Sequence, residues 1–293
     1  MNISLPYSFS TLLCYSVLYL AVACLWLPAS IWGQPLWLIL AASAGFIALI
    51  SGQLTPLGLG LAVLYLFITY RFSQTTDPKE KGLIGLLLAA LSVLLGAHLL
   101  PGFYNLKVLD TMAISTDGIP FTMYLNLDKT LVALGLLGWC IPRLSTRQEW
   151  RQLLQFLLSH SLILLPPIFI LALASGKVHW DPKLPSSTLL WMLTNLLFVC
   201  TAEEAFFRGF LQQQLSLLWQ NRALQKVLPL ALASFFYGLS HFAGGPLYVA
   251  FVTLAGLGYG WVYQKTGCIE ASILLHFALN ASHFLFFTYP SLS

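Results

Sequence analysis

Long apolar runs, broken by short polar or Pro/Gly stretches, recur along the whole chain and predict ten helices. They lie near 10–30, 35–52, 56–71, 83–100, 130–142, 152–174, 187–217, 227–243, 246–264 and 268–288. Runs of this length exceed a buried soluble strand and approach the roughly 20 residues that cross a bilayer as a helix. A segment in lipid must satisfy its own backbone polar groups, which makes the helix the expected form for each. The second, third and fifth runs are short or marked by Gly and Pro and read as half-spans. The expected fold is therefore all-α, a polytopic transmembrane bundle of about 8–10 spans.

Composition supports this class. Only 8% of the 293 residues are charged and 58% are hydrophobic, whereas soluble domains carry about 25% charged residues. The net charge of +4 is scattered, with no basic run suited to nucleic acid. No lysine or arginine precedes the first apolar run, which argues for a retained span over a cleaved signal. The five cysteines form no CxxC pair and read as core filler. Lysine and arginine collect at 71–81, 143–151, 208–226 and 265. With ten spans these fall on one side, expected to be cytoplasmic by the positive-inside rule. Lys107, Lys129, Lys177 and Lys183 lie on the other side, diluted by aspartates. The segment 101–129 is long for a loop and rich in aromatics, as at a membrane interface.

Charge inside the apolar runs carries the chemistry. The seventh run reads WMLTNLLFVCTAEEAFFRGFLQQQ and contains Glu203, Glu204 and Arg208. Each charge deep in a bilayer costs about 3 kcal/mol on insertion scales, so it persists when paired or needed. Glu204 and Arg208 are four apart and share a face, predicting an ion pair. Glu203 lies about 100° round the helix, away from that arginine. A carboxylate in a low-dielectric site without a counter-charge is a stronger base than one in water, which suits Glu203 to take a proton from water. A polar clamp between helices would use the same residues. His241 ends the eighth run before a Gly-Gly-Pro break. In the tenth, His276 and Asn280 are four apart on one face, with His283 near it. Singly, each reads as a satisfied core group or as interhelical glue. Together they concentrate in the last third of the chain, while the other runs hold chiefly His98 and His160. A base, imidazoles and an amide donor are what amide hydrolysis requires.

The motifs Glu203-Glu204-Ala-Phe-Phe-Arg208, Tyr237-Gly-Leu-Ser-His241 and His276-Phe-Ala-Leu-Asn280 resemble those of the CPBP family, which includes type II CAAX prenyl proteases and bacterial Abi-type proteins. The resemblance covers about 187–288. It implies a catalytic domain at 146–293 after family-variable transmembrane helices at 1–145. It further implies an intramembrane endopeptidase in which Glu203 activates water and His241 helps to hold it. His276 and Asn280 would stabilise the oxyanion, with Glu204 and Arg208 supporting. One position departs from the motif: Tyr237 stands where the family has phenylalanine, and its hydroxyl needs a partner. The expected chemistry uses no cofactor. A zinc ion remains open as a variant, its ligands then being Glu203, His241 and His276. The expected partners are the lipid bilayer and a membrane-associated protein or peptide substrate, with no nucleic acid. The expected location is a bacterial inner membrane, multi-pass. A non-catalytic scaffold or bacteriocin-immunity protein using the same polar network is the alternative. Proton-coupled transport is disfavoured, since no inverted repeat is evident. A straight helix over 227–243 would set His241 about 20 Å from its start, too far to meet Glu203, so these helix ends are expected to shift.

Overall fold

The computed structural model describes residues 7–220 and 223–292, and these are mostly helical. Arg222 and the first six residues, which bear on orientation and on the missing leader charge, lie outside the described residues. Among those described, six helices are long and apolar enough to cross a membrane, and Leu36–Ile50 and Leu228–Leu239 are shorter apolar helices. All ten predicted runs are helical over most of their length.

The chain forms two compact units. The first comprises 1–107, 124–141 and 197–202. It holds α1 (Phe9–Ala23), α2 (Leu36–Ile50), α3 (Pro56–Gln74), α4 (Pro78–Gly96) and α5 (Leu127–Gly135). Short polar caps start these apolar helices. Ser8, Thr55 and Asp77 each accept a backbone N–H three residues on, filling donors that lipid could not satisfy. Small residues then let helices approach closely. Ala44 and Ala48 of α2 are fully buried, and the Cys14 thiol of α1 reaches the Ala44 carbonyl at 3.5 Å. Tyr65 of α3 is tied to Ser92 of α4 through a 3.0 Å hydroxyl contact. His98 bonds Asp128 at 2.8 Å, with Asn105 bracing the same carboxylate.

The second unit comprises 108–123, 142–196 and 203–293. The capping box of Thr146 and Glu149 opens α6 (Arg147–Ala174), which runs 28 residues through Pro166 and Pro167. The seventh run, Thr188–Leu218, is 31 residues long, about 46 Å if straight and more than the roughly 30 Å of hydrocarbon. It is not uniform. A first α segment, α7 (Thr188–Thr194), passes into π-helix at Asn195–Cys200. The four-residue α8 (Thr201–Glu204) follows, then π-helix again at Ala205–Gln212 before α9 (Gln213–Leu218). The chain then forms α10 (Leu228–Leu239), α11 (Pro246–Thr266) and α12 (Ile269–Phe286). A Gly245-Pro246 turn joins α10 to α11, and Gly267 in the left-handed region closes α11, where a side chain would be strained.

The long segment at 101–129 is more ordered than an interfacial loop. It folds into two strands, β3 (Leu106–Met112) and β4 (Phe121–Leu125), that pair in one sheet; two-residue strands β1 (Ser30–Ile31) and β2 (Gln34–Pro35) form the other. Within the second unit, the chain beyond α12 is clamped by backbone bonds to two segments. Thr288 and Leu292 donate to His179 and Lys177, and Ile119 donates to Ser291. The Ser115 hydroxyl and Lys183 hold the carboxyl of Asp181, beside this clamp, below the usual aspartate range. The Trp191 indole donates to the Tyr289 hydroxyl at 3.1 Å and stacks on Phe284.

Close packing of α10 on α11 gives a direct test. A methyl at Gly238 would run into Thr253 and the Val249 carbonyl, whereas one at Gly258 meets nothing within 4 Å. Gly238→Ala should destabilise the protein by about 1–3 kcal/mol through overpacking. Gly258→Ala should be neutral or mildly stabilising, since alanine favours the helix by up to about 1 kcal/mol. Thermal unfolding in detergent reads both, and equal stabilities would contradict the packing described.

Candidate active site

The site begins on the short α turn between the two π segments. A π turn adds a residue to the helical circuit and shifts the register of the residues beyond it; such bulges are frequent at functional sites. Glu203 and Glu204 sit at this point, α8, flanked on both sides. Glu204 and Arg208 are fully buried and paired, Arg208 Nη1 donating to Glu204 Oε1 at 3.0 Å, as the spacing predicts. The same Oε1 meets His276 Nδ1 of α12 at 2.8 Å. Arg208 Nη2 continues to the Gly256 carbonyl of α11 at 3.1 Å, and one turn on, Gln212 Nε2 reaches the Gly260 carbonyl at 3.1 Å. Two side chains four apart on one helix thus address two carbonyls four apart on another. Glycines at 256 and 260 make this possible: an added Cβ would lie 3.0 Å from Arg208 Nη2 at one and 2.6 Å from Gln212 Oε1 at the other.

Glu203 is also withdrawn from solvent, at 9% exposure, and its Oε2 lies 3.9 Å from His276 Nε2. The expectation that Glu203 points away from Arg208 needs one addition: the imidazole that bonds Glu204 on one nitrogen faces Glu203 on the other. The separation is longer than a hydrogen bond. His276 itself is 2% exposed and stacked on Tyr259, ring centroids 4.7 Å apart and planes 15° from parallel.

Tyr237 has the partner its hydroxyl requires, His276 Nε2 at 3.2 Å, and its ring carries the Arg208 guanidinium 4.4 Å from the centroid. His241 lies past the end of α10, so the helix is shorter than its apolar run. Its Nδ1 is held by the Tyr237 carbonyl at 3.0 Å, with Ser240 Oγ at 3.1 Å. His241 therefore reaches the cluster through Tyr237, half-buried, its ring 6.0 Å from that of Tyr248. Asn280 sits one turn beyond His276, and its amide donates to Asn195 Oδ1 at 3.2 Å. His283 faces elsewhere and bonds the Thr288 carbonyl; His160 bonds Phe156 within α6. Tyr259, Asn195 and the Gly256/Gly260 pair do not stand out in the sequence as site residues, although the small-xxx-small spacing in Gly256–Gly260 is a readable packing signal.

The zinc variant fits poorly. Among the described residues, no three His, Cys, Asp or Glu side chains are grouped as a metal ion needs, so Glu203, His241 and His276 do not form a ligand set.

The buried ion pair has a measurable consequence. Arg208→Leu leaves the buried Glu204 carboxyl without its guanidinium and should cost about 3–5 kcal/mol, whereas removing both partners costs far less. Arg208→Leu should therefore lose its folded, detergent-stable form, and Arg208→Leu with Glu204→Leu should recover part of it. A single variant as thermostable as the parent would show that the pair contributes little.

Comparison with known proteins bears on the same segment. A curated relative is the uncharacterized protein YyaK of Bacillus subtilis (strain 168), 28% identical over 155 residues, covering 49% of this chain and 50% of that protein. The chain thus spans about half the length of the curated relative it matches. No solved structure matches it. Residues 185–282 match the family described as type II CAAX prenyl endopeptidase Rce1-like. That interval runs from just before α7 almost to the end of α12 and contains the whole cluster of polar side chains, so the segment 185–282 carries the Rce1-like domain of the CPBP family.

Proposed function

We propose that this protein is an intramembrane endopeptidase that hydrolyses a peptide bond of a membrane-associated protein or peptide. The observation that carries the reading is Glu203, buried in an apolar helix with His276 Nε2 3.9 Å from its carboxylate. In the proposed reaction Glu203 takes a proton from a water molecule, and the water oxygen attacks the scissile carbonyl carbon. His241 helps to hold that water. As the carbonyl oxygen becomes an oxyanion, His276 donates from a ring N–H and Asn280 from its amide, the preorganised donors such a charge needs. Glu203 then returns the proton to the departing amine nitrogen, and the tetrahedral centre collapses to acid and amine. Glu204 and Arg208 hold the imidazole in place.

The proposal extends to setting. The domain at 146–293 is read as the catalytic part and 1–145 as accessory helices. The protein is read as resident in a bacterial inner membrane with its lysine- and arginine-rich loops in the cytoplasm. The site is read as opening into a polar cavity that faces the cytoplasm, and nucleic acid has no part.

A second reading is supported by the density of the Glu204–Arg208–His276–Gly256 contacts, which would also serve a non-catalytic scaffold or immunity protein as interhelical glue. One substitution separates the two. Glu203→Gln keeps shape and removes the base. Hydrolysis predicts that it folds and inserts normally while cleavage falls at least about a hundredfold. The measurement compares membrane peptides released in cells carrying the parent or the variant. An unchanged peptide pattern and phenotype would favour the scaffold and retire the protease reading.

A further inference from the structure

The residue that departs from the family motif sits where three members of the cluster meet. We infer that Tyr237 is a positioning residue that holds both imidazoles of the site, and that its hydroxyl does so for His276. This rests on the protease reading for its catalytic consequence, but not for its geometry.

Three contacts made by different parts of Tyr237 carry the inference. Its carbonyl oxygen fixes His241 Nδ1 at 3.0 Å, its hydroxyl meets His276 Nε2 at 3.2 Å, and its ring face supports Arg208 at 4.4 Å. The ring also packs edge-on against His241 at 5.1 Å and His276 at 5.8 Å. The residue is buried at 3% exposure, so the hydroxyl has been taken out of water and depends on partners within the protein.

The groups facing His276 explain why a hydroxyl suits this position. Glu204 meets Nδ1, Glu203 lies across from Nε2, Tyr259 stacks on the ring, and Arg208 is bonded to the Glu204 oxygen that His276 shares. Glu204 and Tyr259 fix one edge and one face of the imidazole. Nε2 is the edge that faces Glu203, and it must stay aimed there whether or not it bears a proton. A hydroxyl donates to a bare ring nitrogen and accepts from a ring N–H, so Tyr237 keeps its bond through either state. A carboxylate or an ammonium serves only one of them, and phenylalanine serves neither.

The backbone and ring contacts of Tyr237 would survive replacement by phenylalanine, the family's own residue, so Tyr237→Phe isolates the hydroxyl. The variant should fold. Loss of one such hydrogen bond should lower kcat about fivefold, with KM little changed. NMR of the full-length protein carrying isotope-labelled histidine should show the His276 Nε2 resonance shifted and broadened, while His160 stays in place. This spectroscopic arm requires no cleavage, so it stands even if Glu203→Gln shows that the protein is not a protease. If the His276 resonance and kcat both match the parent, the hydroxyl merely satisfies itself and the inference fails. A shifted resonance in a protein that never cleaves would uphold the geometry and defeat only the reaction. Cleavage abolished by Glu203→Gln, with a His276 resonance unmoved by Tyr237→Phe, would leave the protease standing and overturn the positioning role.

Discussion

A single carboxylate oxygen organises the second unit. Glu204 Oε1 accepts from Arg208 on its own helix and from His276 on α12, and Arg208 reaches on to the α11 backbone. Three separate stretches of chain are thereby tied at one buried point. In an apolar medium each charge would be costly alone, and each is tolerated because the other is present. Removing water from all of them makes the network exacting: half of it is worse than none. The glycines at 256 and 260, the aromatic support of Tyr237 and Tyr259, and the register of the long helix are all conditions for closing that network.

The π segments on either side of α8 are the backbone's part in this arrangement. In a continuous α-helix, adjacent residues differ by about 100°, and the neighbours of Glu203 and Glu204 would repeat on faces set by 3.6 residues. Wider turns at Asn195–Cys200 and Ala205–Gln212 displace those faces. Asn195 comes to meet Asn280, while Arg208 and Gln212 both come to address α11. The two glutamates consequently have different surroundings despite being adjacent. Glu204 is saturated at one oxygen by two donors, and Glu203 faces an imidazole nitrogen at a distance that exceeds a hydrogen bond.

The helices are legible in the sequence because lipid enforces a simple rule: apolar runs of sufficient length must be helical. The Glu204–Arg208 pair is legible for a similar reason, since two opposite charges four apart in an apolar run have few alternatives to each other. The gathering of His276 with them follows from concentration of polar residues in one third of the chain and from the motif order. The features that are not legible depend on local backbone geometry or on contacts distant in sequence. Nothing in TAEEAFFRGFLQ marks a π turn. The β3–β4 pairing at 106–125 is hidden because its alternation is weak and its aromatics resemble an interfacial belt. The end of α10 comes earlier than its apolar run suggests, because Ser240 and His241 continue that run without a break until Gly244-Gly245. Tyr237 stands out in the sequence only as a departure from a motif; that its hydroxyl finds His276, 39 positions away, is set by the packing of α10 against α12.

The division of labour proposed for the adjacent acids would arise from these contacts. A group that holds a second helix in place is poorly suited to move as well; Glu204 bonds Arg208 and His276 through one oxygen, which suits it to the supporting part proposed for it. An acid that works as a base needs the opposite: a neighbour close enough to cooperate and loose enough to let substrate and water come between. Glu203, one residue earlier and turned toward the far side of the same imidazole, is the acid we propose for that part. The two requirements conflict in one side chain but are met by two, and His276 is the element they share. Its ring transmits the rigidity of the Glu204 side to the edge that faces Glu203. Precision at the proposed reacting position is therefore a consequence of the buried ion pair, and the polar clamp and the candidate catalytic site are one structure with two faces.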